Sequence, residues 1–154
     1  MSNWIRVRAT EIKLAEQQKK EERERQLEAA NILKAKIEPF WVDLLVVLQT
    51  SVEAFNREFP GPERSIDKFE KPSATGVVIR RTAYPGASVR AQLGNGATSL
   101  KYTISRTPRK GSDPIETEGS LVLGLTDGEP SYIAEGVSQH EDVAKLLLDP
   151  FFMF

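Results

Sequence analysis

The stretch Ile37–Phe59, IEPFWVDLLVVLQTSVEAFNREF, constrains this chain more than any other, because it reads as one amphipathic helix that needs a large apolar cover. Ile37, Trp41, Leu44, Leu48, Val52, Phe55 and Phe59 recur at steps of four and three, which stacks them along one helical face. Phe40, Leu45 and Val47 widen that stripe, and Asp43, Thr50, Glu53 and Arg57 form a polar line on the other side. Burying about nine large apolar side chains is worth on the order of 15 kcal/mol gross. No other segment supplies as much, so the remaining elements are expected to pack on this one. Val46 lies near the polar line, which makes Leu44–Leu48 apolar nearly all round and predicts a cover on both sides.

Pro60-Gly61-Pro62 ends the helix, and beyond it the apolar period changes from 3.6 to 2. In Thr75–Thr82, Val77 and Ile79 fall on one face and Val78 and Arg80 on the other. Val89, Ala91 and Leu93 alternate with Ser88, Arg90 and Gln92, and Leu100, Tyr102 and Ile104 with Lys101 and Thr103. Leu121, Leu123 and Leu125 alternate with Val122 and Gly124. Ser131–Ile133 reads as a short last strand and Ile66–Lys71 as a weaker first one. Such alternation marks half-buried antiparallel strands. Tyr84-Pro85-Gly86, Gly94-Asn95-Gly96, Pro108–Pro114 and Thr126-Asp127-Gly128 have the length and composition of hairpin turns. No helical pattern interrupts the series, so a meander is expected rather than parallel crossovers.

Ala9–Lys36 is rich in Glu, Gln, Lys, Arg, Ala and Leu, and Glu16 with Lys20 and Glu21 with Arg25 sit four apart in the favourable order. A helix is expected there. Its middle, Gln17–Gln26, has no apolar side chain, so it fails the test of a sustained coiled coil and reads as a solvated arm. Pro39 suits a first helical turn and disfavours helical geometry at Glu38, which predicts two helices with a bend near Ile37 and Glu38, with a single kinked helix as the alternative. Met1–Arg8 fits a short strand and a helix start equally. At the other end, Ser138-Gln139-His140-Glu141 fits a capping box before Val143, Leu146 and Leu147, and Phe151–Phe154 is too apolar to hang in water without cost.

These patterns predict an α+β class: a long central helix across a five- to six-stranded antiparallel β-meander, a short C-terminal helix, and a projecting charged N-terminal helix. Residues 1–38 form the arm and 39–154 the domain. A length of 154 residues suits one such domain.

Composition excludes several kinds of chemistry. There is no cysteine, which removes disulfides, thiolate metal sites and a cysteine nucleophile. His140 is the lone histidine, and its place in a capping box reads as solvent-facing. Ser138, His140 and Asp142 are too close along the chain to converge as a triad, and no G-x-S-x-G accompanies them. Glu116 and Glu118 share a strand face about 7 Å apart, but Lys101 or Thr103 on the neighbouring strand makes cross-strand pairing the simpler use. The glycines lack phosphate-loop spacing. No catalytic, metal or cofactor set is expected. Phe40–Leu48, the most apolar run, is broken by Asp43 and far short of the roughly 20 residues of a membrane span. No secretory signal pattern opens the chain, so a cytoplasmic location is expected.

Three functional readings remain. The first is a non-enzymatic protein-interaction or scaffold module that meets itself or another protein through Ile12, Leu27, Leu33, Val46, Phe151, Phe152 and Phe154. The second is a carrier of an apolar small ligand in a cavity lined by Trp41, Phe55, Tyr102 and Leu123. The third is weak nucleic-acid binding on a basic sheet face formed by Arg80, Arg90, Lys101, Arg106, Arg109 and Lys110. A net charge of -1 and sparse aromatics favour the first over the third.

Overall fold

The computed structural model describes residues 3–94, 96 and 98–154. Asn95, in one of the expected turns, lies outside the described residues, as do Met1, Ser2 and Ala97. Helix α1 runs from Asn3 to Glu58 with Pro39 inside it, so the expectation of two helices is corrected to a single element, the alternative that the sequence also allows. The physical reason is tertiary. An interior proline costs about 3 kcal/mol, whereas keeping the helix continuous buries Leu33 and Ile37, each worth roughly 1.5–3 kcal/mol. Just before the proline, Lys36 Nζ donates to the Gly128 carbonyl at 2.9 Å and pairs with Glu129 at 2.8 Å. That contact ties the helix to a turn of the sheet. The ambiguous segment from Asn3 to Arg8 is helical, and the core-facing residues of α1 begin at Leu33, ahead of Glu38.

Six strands follow in a single antiparallel meander: β1 Lys68–Ser73, β2 Gly76–Arg81, β3 Gly86–Leu93, β4 Ser99–Thr107, β5 Ile115–Thr126 and β6 Glu129–Tyr132. Spatial order equals chain order, as the turns predict. One face carries Val77, Ile79, Val89, Ala91, Leu100, Leu121 and Leu123, all buried with the α1 stripe in one core. Where β4 meets β5, Tyr102 lies against Gly119, whose missing side chain leaves room for the ring. At the end of α1, Asn56 exchanges two hydrogen bonds with the backbone of Ile66, 2.9 and 2.7 Å, which fixes the entry to the sheet.

Helix α2, His140–Leu148, packs beside α1 and buries Val143, Ala144, Leu147 and Leu148. Its capping position is Gln139 and its reaching carboxylate is Asp142, one residue beyond the expected Ser138 and Glu141. The Asp142 carboxylate accepts from the backbone N–H of Ser138 and of Gln139, both at 3.0 Å. These bonds from Ser138 and Gln139 hold its pKa below the ordinary carboxylate value. With Gln139 at the cap, Asp142 falls at the third helical position, from which its carboxylate reaches back to the cap backbone. A 3-10 turn, Asp149–Phe152, then delivers the tail.

Candidate functional site

The alternation of β2 places Arg81 on the same face as Val77 and Ile79, inside the core, where it is 1 % exposed. Main-chain carbonyls surround its guanidinium. Nε donates to Pro85 at 2.9 Å, Nη1 to Arg64 at 3.1 Å and to Phe151 at 2.7 Å, and Nη2 to Met153 at 3.1 Å. The rings of Phe151 and Phe154 stand 5.7 and 5.5 Å from its central carbon. Burial lowers its pKa, yet a guanidinium stays charged at any ordinary pH. Among the described residues it has no carboxylate partner. Four of its five N–H donors are used inside the chain, so Arg81 acts as a staple between sheet and tail. The signal was available in the period-2 pattern, carried one step past Ile79.

His140 is half-buried rather than solvent-facing. Its Nδ1 lies 2.7 Å from the Tyr132 hydroxyl, and its ring centroid is 4.5 Å from that of Phe40. Burial lowers the imidazole pKa, with Asp43 opposing, and burial raises that of Tyr132. The pair joins α1, β6 and α2. Among the described residues no group of three or more His, Asp or Glu could hold a metal ion.

The basic cluster predicted from sequence divides. Register places Arg80, Arg90 and Lys101 on the outward sheet face, where Arg80 opposes Ser88, Arg90 opposes Thr103 and Lys101 opposes Ser120. Arg106 is corrected to the other face: it opposes Ala87, which is buried, and contacts the Met153 sulfur. Arg109 and Lys110 sit in the exposed β4–β5 turn. Glu116 and Glu118 oppose Ser105 and Thr103 on the outward face. That face is hollowed into a groove of about 390 Å³, whose lining includes Arg80, Tyr84, Ser88, Arg90, Thr103, Ser105, Thr107 and Glu116.

The apolar candidates separate as well. Leu33 and Phe151 are buried in the chain's own core, a correction to their expected role as contact surface, because the helix enters the core early and Arg81 holds the tail. Phe152 and Phe154 remain about half exposed although their rings pack on Phe55 and Phe59. Trp41, Phe55 and Leu123 are buried and Tyr102 packs against the same core, so these four side chains belong to one apolar cluster. A groove of about 400 Å³ between α1 and α2 is lined by Phe55, Phe59, Leu148 and Phe152. Ile12, Leu27 and Val46 are exposed, as is Val42, and the expected second cover over Val46 is absent within the described chain.

Helix, sheet and staple together define an α+β domain in which one long helix backs an antiparallel meander. Neither family models, nor curated proteins, nor solved structures yield a match to this chain. No described helix is long and apolar enough to cross a membrane.

Proposed function

We propose that this protein is a non-enzymatic interaction module that pairs with a second copy of itself through the projecting part of α1. The observation that carries this reading is that α1 continues from Asn3 to Ile32 with its side chains almost all exposed, including Trp4, Ile5, Val7, Ile12, Leu14 and Leu27. Thirty helical residues extend about 45 Å. Such a helix draws only a few tenths of a kcal/mol from each pair such as Glu16 with Lys20, and a partner that covers its exposed apolar side chains would add to that.

Charge supports a second copy as that partner. The core stripe continues outward as Leu33, Ala29, Gln26, Glu22, Lys19, Ala15 and Ile12, at alternating steps of four and three. Two such stripes laid antiparallel about a point between Lys20 and Glu21 set Lys19 level with the partner's Glu22, Ile12 level with the partner's Ala29, and Glu16 near the partner's Arg23. Polar pairs at such positions weaken association but specify its direction and register.

Light scattering across a concentration series tests the reading. The full chain should gain mass with concentration, and Lys19→Glu or Glu22→Lys alone should leave a monomer. An equimolar mixture of the two variants restores complementary pairs and should recover the dimer mass. A wild-type chain that stays monomeric at every concentration, or variants that dimerise unchanged, would overturn it.

A further inference from the structure

We propose that the outward groove of the sheet is a binding site for a small polyhydroxylated phosphate ester, held between Arg80 and Arg90. The first ground is a cluster of cations on one patch of the outward face. Lys68 stands directly opposite Arg80 across β1 and β2, an arrangement that destabilises a sheet. Arg90 sits two residues beyond the partner of Arg80, a diagonal separation of about 7–8 Å. Among the described residues none of the three cations pairs with a carboxylate. A site kept at a cost to the fold, with its charges open, fits an anion placed between two guanidinium forks.

The second ground is the lining. Ser88, Thr103, Ser105 and Thr107 present four hydroxyls around the two arginines in the groove of about 390 Å³, within the range of small-ligand sites. Glu116 on the far wall is acceptor-only, which suits ligand hydroxyls. Tyr84, half exposed at the rim, supplies an apolar edge.

The same residues disfavour a nucleic-acid track. Glu70 and Glu118 flank the cations on this face and would repel a phosphate chain, Lys101 lies outside the groove, and Arg106 turns inward. One compact anion fits between the glutamates.

Amide chemical shifts followed during titration with glucose 6-phosphate, inorganic phosphate, glucose and a single-stranded oligonucleotide test the site. Saturable shifts centred on Arg80, Ser88, Arg90 and Ser105 are expected with glucose 6-phosphate, weaker ones with phosphate, and none with glucose. Arg80→Gln with Arg90→Gln should weaken binding by at least about tenfold while melting no lower than wild type, since repulsion is relieved. Ser88→Asp places a carboxylate between the arginines and should abolish binding, whereas Lys101→Gln should leave it unchanged. Absence of saturable shifts with either phosphate compound at about 10 mM overturns the proposal. So does binding of the oligonucleotide alone, or binding that survives in both groove variants.

Discussion

The carbonyl oxygen of Phe151 lies 2.7 Å from Nη1 of Arg81, across a sequence separation of 70 residues. A guanidinium in the core is tolerated because carbonyl dipoles replace water around it, and no acidic residue is required. The apolar tail thereby becomes part of the domain, with Phe151 fully buried beneath the staple.

Arg81→Ala should cost about 3–5 kcal/mol, because it strands the carbonyls of Arg64, Pro85, Phe151 and Met153 near a cavity. Arg81→Lys should recover part of that loss, since an ammonium donates but cannot fan its donors in one plane. Urea unfolding of both variants measures the difference. A loss below about 1 kcal/mol for Arg81→Ala would mean that the tail docks without the staple.

Stability should fall as pH drops below about 6.5, the ordinary histidine value. Burial depresses the His140 pKa in the folded chain, so the unfolded chain takes up its proton first as pH falls. The contribution is whole above the unfolded value and is lost on the way down to the folded one. Subtracting the urea midpoints of His140→Gln from those of wild type isolates this slope, and parallel curves would remove the imidazole as its source.

Trp41 is 3 % exposed, and its indole N–H is buried with no hydrogen-bond partner among the described residues. Trp41→Ala should cost roughly 3–5 kcal/mol, as a core truncation does. Trp41→Phe should cost distinctly less, because it keeps a ring in place and removes the unpaired donor. Equal losses on thermal or urea unfolding would show that the indole N–H carries no penalty.

Pro39→Ala should stabilise the protein by about 1–3 kcal/mol, since it restores a donor to a helix that continues on both sides. Urea unfolding checks the sign. A destabilised variant would indicate that the local shape imposed by proline is needed for Leu33 and Ile37 to reach the core.

The α1 stripe, the strands and the meander were legible because each depends on local period and turn chemistry. The continuation of α1 through Pro39 was not, because it turns on a balance between a local cost and burial of Leu33 and Ile37 by distant strands. The cap of α2 moved by one residue, with the Asp142 carboxylate taking both the Ser138 and Gln139 N–H groups.

For the candidate site, side-chain type alone grouped Arg106 with Arg80, Arg90 and Lys101. Register separated them, since opposing Ala87 turns Arg106 toward the tail and opposing Thr103 turns Arg90 outward. Likewise Lys68 faces Arg80 only through pairing between β1 and β2.

Sequence by itself thus determined the class of fold, the order of its elements and the apolar face of each, because periodicity is written in neighbouring residues. Only the tertiary structure decided that Arg81 staples the tail, that Tyr132 meets His140 and that Arg80 and Arg90 share one groove. Those relationships depend on which residues stand opposite one another across strands, and a strand pattern of period two leaves that register open until the chain has closed around its core.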